Sequence, residues 1–270
     1  MSSVASVGSG TAVANDPLTP LIIEAFEKLD KWKGCLLDAA PSRMVFEHNR
    51  KRAAGNGFPS SIEIGKRFGL TDHEISALFG WTTGDYRFLN PIARGGDTVD
   101  FEDYPFLPTK LVKATCRLHR DDVMPYVHVL NSALLKLPAL VNSQVLWRGH
   151  RRRLSQKSIG SRVVMKGFTS VSRDRDNALA FCVKANEGRS NQRTLLAFLE
   201  NHSSRCIAKF SARKDEMEVM FPLNTTFEVV AAPEDSSKED KKAVDEALER
   251  LRNDLPDAEI DLVYLKEVQT

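Results

Sequence analysis

The chain has 270 residues, 42% of them apolar, enough to bury the core of one large domain. Its 38 basic and 36 acidic side chains leave a formal net charge of +2, so charge alone argues for no general affinity for polyanions. Cys35, Cys116, Cys182 and Cys206 show no CxxC or Cys/His spacing, which argues for reduced buried thiols over a disulfide framework or a metal site, and no run approaches the roughly 18 apolar residues of a membrane span.

The opening MSSVASVGSGTAVAND has neither a basic n-region nor an apolar h-region and is not a Sec-type signal peptide. Its small and hydroxyl residues offer little to bury, so residues 1–16 read as a disordered leader, of a composition that also suits a bacterial effector exported by a specialised secretion machine. Residues 17–60 read as a helical extension. Leu21, Ile22, Ala25, Phe26 and Leu29 fall at helical spacing, and a loop with Pro41, Gly55, Gly57 and Pro59 follows.

From Leu70 on, Thr71 and Glu74 are spaced as a capping box ahead of the apolar face Ile75, Leu78 and Phe79, and the stretch ALFGWTTGDYRFLN predicts a short helix, a turn at Gly84 and a second short helix. Residues 95–112, rich in Gly, Asp and Pro, read as a long loop. The stripe Val123, Tyr126, Val127, Leu130, Leu134 and Leu137 predicts a core-facing helix that Pro138 stops. Beyond Val141 short runs rich in β-branched and aromatic residues alternate with turns: SQVLWRGH, SRVVMKGFTSVS, RTLLAFLE, CIAKFS, EVMFPL, TTFEVVAAP and IDLVYLKEV. Between the last two, residues 237–254 read as a charged helix added to the surface, with Val244, Ala247, Leu248 and Leu251 as its apolar face. Helices first and strands after predict an α+β fold, with N-terminal helices packed on a mixed or antiparallel β core, and neither a GxGxxG turn nor a GxxxxGK[ST] loop is present.

Three polar features stand on or beside these strands. Arg148 in VLWRGH offers a planar fork suited to phosphate, next to a glycine that permits close backbone approach; taken alone it reads sooner as an outward-facing arginine continuing into Arg151 to Arg153. Ser170 and Ser172 in GFTSVS share one face of a strand, with no GxSxG elbow around either. Glu216 and Glu218 project to one side if the strand has begun, and like charges that close raise one pKa unless a cation or hydroxyl intervenes. Such a pair either sits solvated at a hairpin mouth or divides the labour of glycosyl transfer, one carboxylate facing an oxocarbenium-like centre and the other handling a proton.

In order and spacing, Arg148, Ser170-Val171-Ser172 and Glu216-Met217-Glu218 resemble the Arg, Ser-x-Ser and Glu-x-Glu signature of the mono-ADP-ribosyltransferases. The likeness runs from about Glu63 to Val268 and takes in ALFGWTTGDYRFLN, GFTSVSRD with the following NALAF, and the terminal IDLVYLKEV. It implies a two-sheet core of ADP-ribosyltransferase type over residues 61–270, NAD+ as co-substrate and no metal. Arg148 would bind the pyrophosphate, with Gly149 beside it. Ser170 would hold the nicotinamide ribose and orient Glu218, with Ser172 in support and Phe181 as an aromatic wall. Glu218 would stabilise the oxocarbenium ion, and Glu216 would deprotonate the acceptor, with the SARKDE loop reaching toward the target protein. Val171 departs from the family's more usual Ser-Thr-Ser, and the loop before Glu216 lacks an aromatic residue often found there.

The resemblance gives arginine as the acceptor, while the leader and the unusual loop also fit effectors that modify a threonine of ubiquitin. It implies a monomer acting on a host protein after secretion into host cytosol, or a cytoplasmic enzyme if there is no export. Hydrolysis of NAD+ with water as acceptor, and a protein-interaction module without catalysis, remain alternatives on the same fold. A nucleic-acid module would need aromatic residues interleaved with the basic ones at His48 to Arg52 and Arg148 to Arg153, and none interleave.

Overall fold

A computed structural model describes residues 60–100, 117–140, 144–150, 158–183, 192–211, 216–233, 237–251 and 259–269. The expected leader, the helical extension through residue 59, most of the 95–112 loop, Cys35, Cys116, the basic run Arg151 to Arg153 and residues 212–215 of the loop before Glu216 lie outside them.

The helical layer begins with α1, Ser61–Arg67, which sequence periodicity did not reveal; Ser60 caps it and Glu63 closes the capping box. Helix α2, Asp72–Gly80, starts at the capping box expected from Thr71 and Glu74. A wide turn, Trp81–Asp85, then kinks the chain at Gly84, whose φ of 137° suits glycine, and α3, Tyr86–Ala93, follows. Strand β1, Thr98–Asp100, lies inside the 95–112 stretch that reads as loop from sequence and pairs antiparallel with β2, Arg117–His119. Helix α4, Arg120–Lys136, buries the whole expected stripe from Val123 to Leu137 against α2 and α3.

The β half holds β3, Leu146–His150; β4, Arg162–Met165; β5, Thr169–Ser172; helix α5, Arg175–Val183; β6, Gln192–Glu200; β7, Arg205–Cys206; β8, Glu218–Phe221; β9, Thr225–Val230; helix α6, Ser237–Leu251; and β10, Glu259–Glu267. The fold is α+β with a mixed sheet, as expected. The two expected sheets are, however, one continuous ladder of eight strands in the order β4-β9-β10-β6-β3-β5-β8-β7, in which β10 runs parallel to β6. Five ladder steps of about 4.8 Å would hold β8 and β9 roughly 24 Å apart if the sheet were flat. Instead the rings of Phe221 on β8 and Phe227 on β9 meet edge to face at 5.0 Å, and Phe198 on β6 touches both. The sheet therefore folds over on itself around a fully buried phenylalanine core, and one ladder supplies both walls of a sandwich.

Helix α6 packs through the apolar face expected of it, with Ala243 added. Ala243, Val244 and Ala247 are buried with Trp147, Leu179, Cys182 and Tyr264, so a helix of charged composition seals the outer face of the sheet with its small residues. Among the described residues no helix is long and apolar enough to cross a membrane.

Candidate active site

Strands β3, β5 and β8 are neighbours in the ladder, and this adjacency assembles the polar features read from the sequence. Trp147 pairs with Ser172, and Ser172 pairs with Glu218. Period-two alternation then sorts the faces: Val171 and Val219 pair and turn into the phenylalanine core, while Ser170, Ser172 and Glu218 occupy the opposite side.

Glu218 is 6% exposed, and its carboxylate is held in place from two directions. Oε1 accepts the Ser170 hydroxyl at 2.5 Å and the Trp81 indole N–H at 2.9 Å. Among the described residues no hydrogen bond reaches Oε2. Burial raises the Glu218 pKa above the usual carboxylate range, the Ser170 and Trp81 hydrogen bonds pull it back, Glu216 pushes it up and Arg148 pulls it down. On β3 the Arg148 guanidinium donates through Nη1 to the Ser170 carbonyl. Burial lowers its pKa to about 10, helped by the like charge of Arg94 and opposed by Glu218. At that value it is cationic at neutral pH.

Ser172 works through the backbone. Its hydroxyl donates to the Glu216 carbonyl at 2.8 Å and accepts from the Asp174 N–H at 2.9 Å, tying the start of β8 to the β5–α5 connection. Strand β8 begins only at Glu218, and Met217 sits at φ 46°, in the left-handed region that a methionine rarely adopts. Period-two alternation therefore does not carry back to Glu216, whose side chain is partly exposed on the turn before the strand while Glu218 is buried. The two glutamates sit in unlike surroundings, one at the surface and one within.

Gly149 has no room for a side chain. A Cβ there would stand 2.1 Å from the Ala178 carbonyl oxygen and 2.8 Å from the Cys182 nitrogen, so the close approach this glycine permits is to α5. Phe181 is 43% exposed on the same helix. Cys182, also on α5, is a free thiol that burial pushes up to about 11, which makes it a packing residue and not a nucleophile.

Three further residues join the site that the motif reading did not single out. Trp81 reaches Glu218 across 137 positions of sequence. Arg94, just after α3, places a second guanidinium where its charge acts on Arg148. Asn90 is buried, donates to the Phe168 carbonyl at 3.1 Å and leaves its Oδ1 without a partner beside Gly167, which also borders Arg94. Trp81 and Asn90 lie on the segment ALFGWTTGDYRFLN and Arg94 follows it closely, and the likeness of that segment to a family segment was the only sequence signal pointing there. The arrangement gathers two guanidiniums, suited to an anionic group, and a buried carboxylate, suited to a centre that gains positive charge, within reach of one another's charge.

Residues 114–246 match the family model described as "ART: NAD:arginine ADP-ribosyltransferase". Among curated proteins, the NAD(+)--protein-arginine ADP-ribosyltransferase Tre1 of Serratia proteamaculans is 29% identical over 167 residues, 60% of this chain and 29% of the relative. The chain thus matches under a third of that relative's length. Among solved structures, the eucaryotic mono-ADP-ribosyltransferase ART2.2 superposes with a TM-score of 0.51 at 15% identity, over 94% of this chain and 86% of the other. Vis, an ADP-ribosyltransferase of Vibrio splendidus crystallised with an inhibitor, gives 0.50 at 18% identity over 85% of each chain. At those identities the two structures establish the fold.

Proposed function

We propose, from the match of residues 114–246 to the NAD:arginine ADP-ribosyltransferase family model, that this chain is a mono-ADP-ribosyltransferase, which transfers ADP-ribose from NAD+ to an arginine side chain of a protein and releases nicotinamide. The observation that carries this reading is the buried Glu218 carboxylate, clamped through Oε1 by Ser170 and Trp81, with Arg148 on the same three-strand face.

Arg148 grips the NAD+ pyrophosphate, and the second cation, Arg94, shares that anionic load. Glu218 faces the nicotinamide ribose. As the bond between ribose C1′ and the pyridinium nitrogen breaks, the bonding electrons leave with neutral nicotinamide and positive charge develops on the ribose. A fixed, poorly solvated carboxylate stabilises that charge more than it stabilises the ground state. Ser170 orients the carboxylate, and Ser172 holds the Glu216–Met217 turn. Glu216, nearer solvent, accepts a proton from the acceptor guanidinium as its nitrogen bonds to C1′. Phe181 flanks the nicotinamide side as an apolar wall. Residues 61–270 form the catalytic unit, with 1–16 as leader and 17–60 as extension, and the acceptor is a protein of another cell reached by export.

The test separates the two carboxylates. Glu216→Gln is expected to lose protein modification by about 100-fold or more while still cleaving NAD+ in water, whereas Glu218→Gln loses both. Mass spectrometry of the modified protein is expected to place the adduct on arginine; an adduct on threonine of ubiquitin would replace the acceptor assignment, and NAD+ cleavage with no protein adduct would reduce the activity to hydrolysis.

A further inference from the structure

We propose that Trp81 is a positioning residue for Glu218: its indole N–H joins the Ser170 hydroxyl on Oε1 and so reserves Oε2 for the NAD+ ribose. The inference rests on the catalytic reading of Glu218.

Trp81 is 2% exposed, and its indole N–H points at Glu218 Oε1 from 2.9 Å. The turn that carries it is pinned from several sides. Asp85, at the far end of the turn, accepts the Tyr126 hydroxyl of α4 at 2.6 Å. Gly80, just before it, leaves space for that bond, since a Cβ there would fall 2.2 Å from Asp85 Oδ2 and 2.4 Å from the Tyr126 oxygen. The indole packs edge to face on Phe168 at 5.4 Å, and Phe168 leads directly into β5 and Ser170. The donor is thus fixed relative to the strand that supplies the other donor, which is the preorganisation an electrostatic role requires.

An indole N–H does not titrate, so it favours the ionised carboxylate at every working pH. The charged groups acting on Glu218 are Glu216 on the turn before β8 and Arg148 on β3, with Arg94 after α3 acting on Arg148. Asp85 is held by Tyr126. Two donors on one oxygen also fix the carboxylate's rotation, whereas Ser170 alone would leave it free to rotate about its hydroxyl contact.

Two measurements on the full chain test this. In Trp81→Phe, which keeps an aromatic ring against Phe168, kcat for NAD+ cleavage should fall roughly tenfold with KM for NAD+ within about twofold, and the acid limb of kcat/KM should move to higher pH. In the ¹⁵N spectrum of the wild type, the indole resonance that disappears in Trp81→Phe should titrate with the midpoint of that acid limb, and the titration should vanish in Glu218→Gln. If Trp81→Phe does not fold, Trp32→Phe and Trp147→Phe identify the Trp81 resonance by elimination, and its titration decides. An active wild type whose Trp81 indole does not titrate, or a Trp81→Phe variant with wild-type kcat and pH profile, would overturn the positioning role alone. A titrating indole in a chain that cleaves no NAD+ would overturn the catalytic reading and the role with it.

Discussion

Glu218 is costly to keep ionised, and that cost has a sign that can be measured. Its pKa in the folded chain is raised, first of all by burial, so the native state holds this proton more tightly than the unfolded chain does. Between the unfolded and folded pKa the native state binds more protons, and stability falls as pH rises through that window. Glu218→Gln, which removes the buried charge and keeps a side-chain oxygen for Ser170 and Trp81, is therefore expected to melt above the wild type at pH 8. The gap should close as the pH drops below the usual carboxylate range. Thermal melts at the two pH values check this, and an equal gap at both would show that the carboxylate carries no such strain. At the same scale, Arg148, Ser170, Ser172 and Glu218 were legible in the sequence because they sit on strands whose alternation and order can be read locally, and Glu216 because it stands two residues before the last of them. The unlike settings of Glu216 and Glu218 were not, since they follow from the left-handed backbone of Met217, which no periodicity announces. Trp81 and Arg94 were hidden for a different reason: each enters the site from the helical layer, and nothing local links an indole at position 81 to a carboxylate at 218.

At the scale of elements, the site depends on β3 lying tight against α5. Gly149→Ala would drive a methyl into the backbone of Ala178 and Cys182, which cannot rotate away, so a loss of about 1–3 kcal/mol is expected, with NAD+ cleavage falling in parallel as β3 shifts Arg148. A denaturant melt together with KM for NAD+ tests it; unchanged values for both would mean that α5 yields freely. Thr71→Ala offers a contrast, since it removes one cap of α2 far from the carboxylates. It is expected to cost about 1 kcal/mol of stability with kcat preserved, read from a denaturant melt and a cleavage assay. The capping box of α2, the helix–turn–helix around Gly84 and the α4 stripe were readable because their signals repeat within a few residues. The apolar face of α6 was readable at Val244, Ala247 and Leu248; the part taken by Ala243 was not, because an alanine adds little to an apolar stripe yet is buried in the same cluster as Tyr264 and Leu179.

Across the whole molecule, the folded-over sheet joins the phenylalanine core to the chemistry. Val171 and Val219 fix the inner side of the strands whose outer side bears Ser170 and Glu218, so the core sets the register of the site. Phe227→Ala would remove the ring that closes the sheet onto Phe198 and Phe221, at an expected cost of about 3–5 kcal/mol, and the active fraction should track the folded fraction in a denaturant series. This closure was invisible in the sequence, which shows alternating strands but not which of them meet through their faces after four intervening strands. The α+β class was visible, because helices and strands are segregated along the chain. The central claim is that Glu218 drives transfer of ADP-ribose from NAD+ to protein arginine. It is tested most directly by incubating wild type and Glu218→Gln with NAD+ labelled on its adenylate and an arginine-containing acceptor protein. The account predicts label on arginine with the wild type and at least about a 100-fold loss with the variant; equal labelling by the two proteins would contradict it.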